Sequence, residues 1–335
     1  MATAEQLKSL LKSHVAGDEE RFRATALQIA AHNAKKGNTQ LAHELRDLLD
    51  EARRTQAPAG VPRAVPIARP AGELKGLVTA SYPATQLVDM VLAQPVHDAL
   101  AETVRQYRQR DRLRHHGLSP KRKLLLIGPP GCGKTMTAAA LAGECSLPLM
   151  FVQLHSLITK YMGETAVKLH LVFDAMVETR GVYLFDEFDA IGSARTARND
   201  VGEMRRILSS FLQFLERDDS DSIVVAATNF VGMLDEALFR RFDDVIRYAL
   251  PDKIMARALI ENRLTSFDIE HIVWQRVIRA ARTLSHAEIS RACDDAAKAA
   301  VLADSSAIPT EFLIEALDVR RQMRPSMSRS RPKSR

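Results

Sequence analysis

Two rhythms of apolar residues divide this chain. Near the start, Leu7, Leu10, Leu11 and Val15 recur at the spacing of one helix face, and so do Leu41, Leu45, Leu48, Leu49 and Ala52. Residues 22–34 show the same period with a broader apolar face. Gly17-Asp18 and Gly37-Asn38-Thr39 place stop and cap residues between these segments. Residues 1–54 are therefore predicted to form a small three-helix unit. Pro58, Pro62, Pro66 and Pro70 follow among Ala and Gly, so 55–84 is expected to be a semi-extended linker.

Beyond residue 85 the rhythm changes. Short, unbroken apolar runs at 124–127, 147–152, 182–185, 223–227 and 245–249 alternate with helical patterns. An unbroken run suits a strand covered on both faces, and the alternation predicts an α/β core with a parallel sheet between helices over 85–251. After Pro251 the strands stop, and 252–320 reads as four helices, an all-α lid. The third of these opens with Ser285-His286-Ala287-Glu288, the spacing of a capping box. Ile289, Ala292, Cys293, Ala296 and Ala300 then share one face.

Composition narrows the picture. The 335 residues allow two or three domains, and 46% hydrophobic content is ordinary for a globular chain. No apolar run approaches the roughly 20 residues of a membrane span, and Met1 to Gln6 lack the charged-then-apolar pattern of a signal peptide. Cys132, Cys145 and Cys293 are odd in number and unpaired in spacing, which suits a reducing cytoplasm. The net charge of +6 is local: Arg320, Arg321, Arg324, Arg329, Arg331, Lys333 and Arg335 supply it, with no acid after Asp318. The basic, Ser- and Pro-rich stretch 321–335 reads as a disordered tail that either binds nucleic acid or another acidic partner or is simply solvated. His43-Glu44 lacks the second histidine of a zinc-protease helix, because position 47 is Asp.

The chemistry gathers around the run at 124–127. Gly128, Pro129, Pro130, Gly131, Cys132, Gly133, Lys134 and Thr135 fit G-x-x-x-x-G-K-[ST], with an apolar strand before and a helix after. Such a loop turns backbone N–H groups onto phosphate oxygens, and the following helix, through Met136, adds the positive end of its dipole. Lys134 is expected to reach the β- and γ-phosphates and Thr135 to place its hydroxyl on Mg²⁺. The run at 182–185 ends in Asp186-Glu187. Asp186 is expected to hold Mg²⁺ through water, leaving Glu187 to polarise the attacking water as general base. Asn229 ends the next strand, either between γ-phosphate and water or as a turn former. Arg240 and Arg241 either complement a helix dipole or stabilise transition-state charge.

Together these residues resemble the AAA+ ATPases of the protein-remodelling clade that contains katanin, spastin and the membrane-bound ATP-dependent proteases. The resemblance covers roughly residues 85–320. It implies ATP and Mg²⁺ as cofactors and a homohexameric ring with ATP sites between subunits. It implies Asn229 as the sensor-1 residue, and Arg240 and Arg241 as fingers reaching into the neighbour's site. Lys160, Tyr161 and Met162, before Gly163 and Glu164, resemble the loop with which such rings grip an unfolded polypeptide in a central pore. A Tyr offers a large apolar face at low entropy cost, although Tyr161 could instead pack locally before a helix starting near Glu164. Residues 195–202 stand where a second pore loop would fall but depart from the relatives. At the lid, relatives carry Ser-Gly-Ala-Asp; His286 here either touches base or ribose or merely starts the helix. The implied function is a motor that threads, unfolds or disassembles proteins, with 1–54 recruiting a separate protease or adaptor. A nucleic-acid-coupled ATPase is the second reading. The basic tail motivates it, as do Arg105, Arg108, Arg110, Arg112, Arg114, Lys121, Arg122 and Lys123 ahead of the loop.

Overall fold

All five apolar runs become strands of one sheet in the computed structural model, which describes residues 70, 72–157, 164–188, 200–229 and 239–323. The helices expected over 1–54, the residues Lys160, Tyr161 and Met162, and positions 324–335 of the tail lie outside the described residues. In chain order the core runs β1 (Val78–Ser81), α1 (Gln94–Arg108), α2 (Arg110–His115), β2 (Lys123–Ile127), α3 (Lys134–Cys145), β3 (Leu149–Val152), α4 (Leu154–Leu157), α5 (Glu164–Glu178), β4 (Val182–Phe185), α6 (Asp200–Arg217), β5 (Ile223–Thr228) and β6 (Asp244–Arg247). The lid follows as α7 (Lys253–Arg263), α8 (Trp274–Ala281), α9 (His286–Leu302) and α10 (Thr310–Gln322).

The sheet order is β1-β3-β4-β5-β2-β6, with every pairing parallel except the outermost one. There β1 runs antiparallel to β3, from Val78 opposite Val152 to Ser81 opposite Leu149. The expected α/β sheet between helices stands, with one antiparallel pairing at its edge, and that edge strand lies inside the stretch 55–84 expected to be linker. The reason is physical. An edge strand of four residues buries only Val78 and needs no apolar run. At the other end, α10 extends to Gln322, so Arg321 belongs to a lid helix rather than the tail.

Strand residues alternate strictly between two apolar cores. Leu125, Ile127, Tyr183, Phe185, Val224 and Ala226 face α5 and α6 through Phe173, Met176 and Phe211. Leu124, Leu126, Val182, Leu184, Val225 and Ala227 face α1 and α3 through Leu100, Val104 and Leu141. Both faces are dry, which is why the runs read as continuously apolar. The lid has a third core of its own around Ile260, Val277, Ile289, Cys293, Leu313 and Leu317.

Most of the basic residues around α1 and α2 pair with groups of the same chain, although Arg105, Arg108 and Arg114 stay largely exposed. Arg105 pairs with Glu102, Arg108 with Glu144 at 2.8 Å, Arg114 with Asp221 and Lys121 with Asp244 at 2.7 Å. Arg122 pairs with Asp218 where both side chains are largely buried. Arg110 lies over the Tyr107 ring, 5.0 Å from its centroid. These contacts fasten the segment before β2 to the strand ends and α3.

Candidate active site

Three adjacent strands, β4, β5 and β2, deliver the chemistry to one edge. Ile127 lies opposite Thr228, and Phe185 opposite Ala226, so Gly128, Asn229 and Asp186 leave the carboxyl ends of neighbouring strands together. This is the edge at which open parallel sheets bind ligands. The Gly128 amide donates to the Thr228 carbonyl at 3.2 Å, tying the loop to β5. A Cβ at Gly128 would lie 2.6 Å from the Tyr248 carbonyl oxygen, so only glycine fits this close approach.

Lys134 opens α3 with its side chain buried, at 6% relative exposure. Its ammonium donates to the carbonyls of Gly128 (2.7 Å) and Pro129 (2.9 Å) and to Asn229 Oδ1 (2.8 Å). The next residue, Thr135, donates its hydroxyl to Asp186 Oδ2 at 2.5 Å. Asp186 Oδ1 accepts the Glu187 amide at 2.8 Å. Glu187 has φ +52°, the left-handed region, which costs a non-glycine residue about 1–3 kcal/mol. Held this way, the adjacent carboxylates diverge in role: Asp186 faces Thr135, while both acids line a common cavity.

That cavity, about 610 Å³, has the size of a small-molecule site. Its floor is Pro130 to Met136 with Asp186, Glu187 and Asn229. Gly128 and Pro129 lie behind it and act through their carbonyls on Lys134. The pairing of a hydroxyl and a carboxylate at Thr135 and Asp186 is a hard-oxygen donor set of the kind Mg²⁺ takes. A buried ammonium beside a glycine-rich turn suits phosphate oxygens equally well.

The opposite wall was not visible as a motif. It consists of residues 89–92, ahead of α1, and the lid residues Leu259, Asn262, Arg263, His286, Ala287 and Ser290. The only sequence signal for 89–92 is an apolar triplet, Met90-Val91-Leu92, shortly before a proline in the first turn of a helix. The lid touches the floor directly, since the Ala287 amide donates to the Gly131 carbonyl at 3.0 Å. Gly131 has φ +75°, and a Cβ there would meet Ser285 Oγ at 2.7 Å. Ser285 is fixed by the expected capping box: its amide and hydroxyl both donate to Glu288 Oε2 at 2.7 Å. Arg263 forks onto Asp294 at 2.6 and 2.9 Å. Burial lowers the pKa of His286 below the ordinary histidine value, the Val91 backbone opposing it, so the ring is neutral at pH 7.

Arg240 and Arg241 are not among the residues lining this cavity. Arg241 Nε donates to Glu216 at the end of α6, 3.0 Å away, and Arg240 is exposed.

Comparison with known proteins bears on this arrangement. The model of the ATPase family associated with various cellular activities (AAA) matches residues 124–250. The chain is 34% identical over 334 residues to a Sinorhizobium fredii protein named uncharacterized AAA family ATPase y4kL, covering 99% of each. It is 33% identical to a proteasome-activating nucleotidase of Methanoculleus marisnigri over 60% of this chain and 51% of that one. It is 31% identical to ATP-dependent zinc metalloprotease FtsH 2 of Sphaerobacter thermophilus over 69% of this chain and 36% of that one. Thus the chain spans about half or less of these two relatives. A crystal structure of the FIGL-1 AAA domain superposes with a TM-score of 0.59 and 25% identity, over 72% of this chain and 85% of the other. With a relative matching along almost its whole length, and a family match spanning the strands that carry the loop and the acids, the chain belongs to the AAA family of ATPases.

Proposed function

We propose that this AAA ATPase works as a homohexameric ring that threads, unfolds or disassembles protein substrates, in the cytoplasm. The observation that carries the proposal is the division of the catalytic set. Lys134, Thr135, Asp186, Glu187 and Asn229 share one cavity, while Arg240 and Arg241 lie outside it. Such a site is half of a subunit interface, completed by the arginines of a neighbour. Relatives named for proteasome activation and for ATP-dependent proteolysis support protein as the substrate.

ATP would supply the phosphoanhydride bond that hydrolysis breaks, and Mg²⁺ would supply charge neutralisation for its phosphates. Lys134 exchanges its carbonyl contacts for phosphate oxygens, a stronger, doubly charged interaction. The amides of the turn through Gly131, Cys132, Gly133, Thr135 and Met136 face the same phosphates. Thr135, by its hydroxyl, and Asp186, its present partner, would hold Mg²⁺. Glu187 takes the proton of the attacking water, and Asn229, now bonded to Lys134, orients that water. Arg240 and Arg241 balance charge in the neighbouring site. Lys160, Tyr161 and Met162 form the substrate grip, and residues 1–54 recruit a separate protease or adaptor. The nucleic-acid reading is the weaker one, because most basic residues around α1 and α2 already pair with carboxylates or carbonyls of the chain.

Two variants of the full chain test the proposal. Glu187→Gln is expected to lower turnover by about 10²–10⁴-fold and to leave an ATP-loaded ring that retains substrate protein. Tyr161→Ala should keep basal hydrolysis yet lose unfolding of a tagged substrate. Unfolding at the wild-type rate by Tyr161→Ala would exclude pore threading, and near-normal turnover by Glu187→Gln would remove the base assignment.

A further inference from the structure

The polar groups at the phosphate end of the cavity are bonded to one another: Lys134 to Asn229, Thr135 to Asp186. At the other end Asp89 accepts the Gln86 amide, and Arg263 is held by Asp294. His286 differs from all of these. It is the first residue of α9, and both ring nitrogens are buried without a well-formed hydrogen bond, the Val91 backbone lying close enough only to favour the protonated ring. No other described residue lining the cavity carries such orphaned side-chain atoms. Burying two unpaired ring nitrogens is costly, and alanine at this position would avoid the cost. The cost is recovered if something entering the cavity supplies the missing partners.

We propose that His286 is a specificity-determining residue that hydrogen-bonds the nucleoside end of bound ATP. The inference rests on reading this cavity as the ATP site. With the phosphates fixed over Gly131 to Met136, the nucleoside extends toward the remaining wall, where Met90, Val91, Leu92, Leu259 and Ala287 stand among Asp89, Asn262, Arg263, His286 and Ser290. A neutral imidazole offers one donor and one acceptor there. The ribose hydroxyls and the adenine edge each present groups complementary to both.

The test titrates the full chain with ATP, 2′-deoxy-ATP, GTP and inorganic tripolyphosphate, each with Mg²⁺, by calorimetry. In His286→Ala, ATP affinity is expected to fall about tenfold, the value of one well-made hydrogen bond, while tripolyphosphate binds as before. His286→Gln, which keeps a donor and an acceptor, should recover part of the loss. A preference for ATP over 2′-deoxy-ATP that shrinks in His286→Ala assigns the contact to the ribose. A shrinking preference over GTP assigns it to the base. Unchanged ATP affinity overturns the proposal, and so does an equal loss for tripolyphosphate, which would mark a packing role. Should His286→Ala fail to fold, the ¹⁵N resonances of the His286 ring in the unaltered chain carry the test. They should move with ATP and stay with tripolyphosphate; the same response to both overturns the proposal. A chain that binds tripolyphosphate and ATP equally well fails only this inference, whereas one that binds neither fails the site reading itself.

Discussion

The floor and the roof of the cavity are built on opposite principles. The floor grows from the tips of β2, β4 and β5, strands with both faces packed into the two cores of the sheet, and its polar groups hold one another. The roof comes from α7 and α9, which belong to a separate apolar core, joined by the strap at 89–92, whose Met90 and Leu92 pack on the core of the sheet. Floor and lid meet where the Ala287 amide donates to the Gly131 carbonyl and Ser285 closely approaches the same glycine. A rigid floor gives the phosphates a fixed geometry at no cost in ordering when they arrive. The lid, with an apolar core of its own, is built as a unit separate from the sheet. The candidate catalytic groups lie on one side of the cavity and the separate lid core on the other.

The strongest way to break this comparison is at Lys134. If the grip on nucleotide is concentrated in the floor, Lys134→Ala should cost the most of any single change. It removes the ammonium that exchanges three local acceptors for phosphate oxygens. Hydrogen bonds to charged groups contribute about 1.5–3 kcal/mol each, so losing two should weaken ATP binding by roughly 10²–10⁴-fold. Calorimetric titration of the variant, with its fold checked by circular dichroism, measures this. A loss under about tenfold would place the grip in the roof instead.

Gly131→Ala probes the junction. The new Cβ would stand 2.7 Å from Ser285 Oγ and 3.1 Å from Ala287 Cβ, on a backbone at φ +75°. Strain of this kind costs about 1–3 kcal/mol. The expected result is lower stability to urea together with weaker ATP binding, because the roof must lift away from the loop. Pairing the change with Ser285→Ala should recover part of the loss, since it removes the atom nearest the new Cβ. Strictly additive effects in that double-mutant cycle would show that the contact does not couple the two walls.

The same division explains what could be read from the chain. The floor was legible because its residues are consecutive: the spacing from Gly128 to Thr135 states a phosphate turn, and a buried strand ending in Asp186-Glu187 states a strand tip. The capping box at Ser285 and Glu288 was legible for the same reason, being complete within four residues. Of the roof only His286 was, as one of two readings; Asn262 and the strap at 89–92 were not, because they are brought to it only by folding. Nor was β1, whose single buried residue leaves no apolar run. The arginines ahead of the loop looked like one basic surface because their partners Glu144, Asp218, Asp221 and Asp244 lie far along the chain. The left-handed backbone at Glu187 has no signature in two adjacent acids.

The smallest expected effect, Ser285→Ala alone, is the finest test of whether the roof is a separate body. The hydroxyl donates to Glu288 Oε2 at 2.7 Å and accepts the Glu288 amide at a long 3.4 Å. The reciprocal half of the box, from the Ser285 amide to Glu288 Oε2, survives the change. The loss should therefore fall at the lower end for a helix cap, about 0.5–1 kcal/mol. It should appear where the cap acts. Hydrogen exchange is expected to quicken in the first turn of α9 and to stay unchanged in α3, whose core lies on the other side of the junction. ATP affinity should fall only a few-fold, as the Ala287-to-Gly131 bond depends on the start of α9 but not on the hydroxyl itself. Exchange that quickened equally in α3 would mean that a disturbance in the roof spreads through the floor, and the two walls would then be one rigid unit.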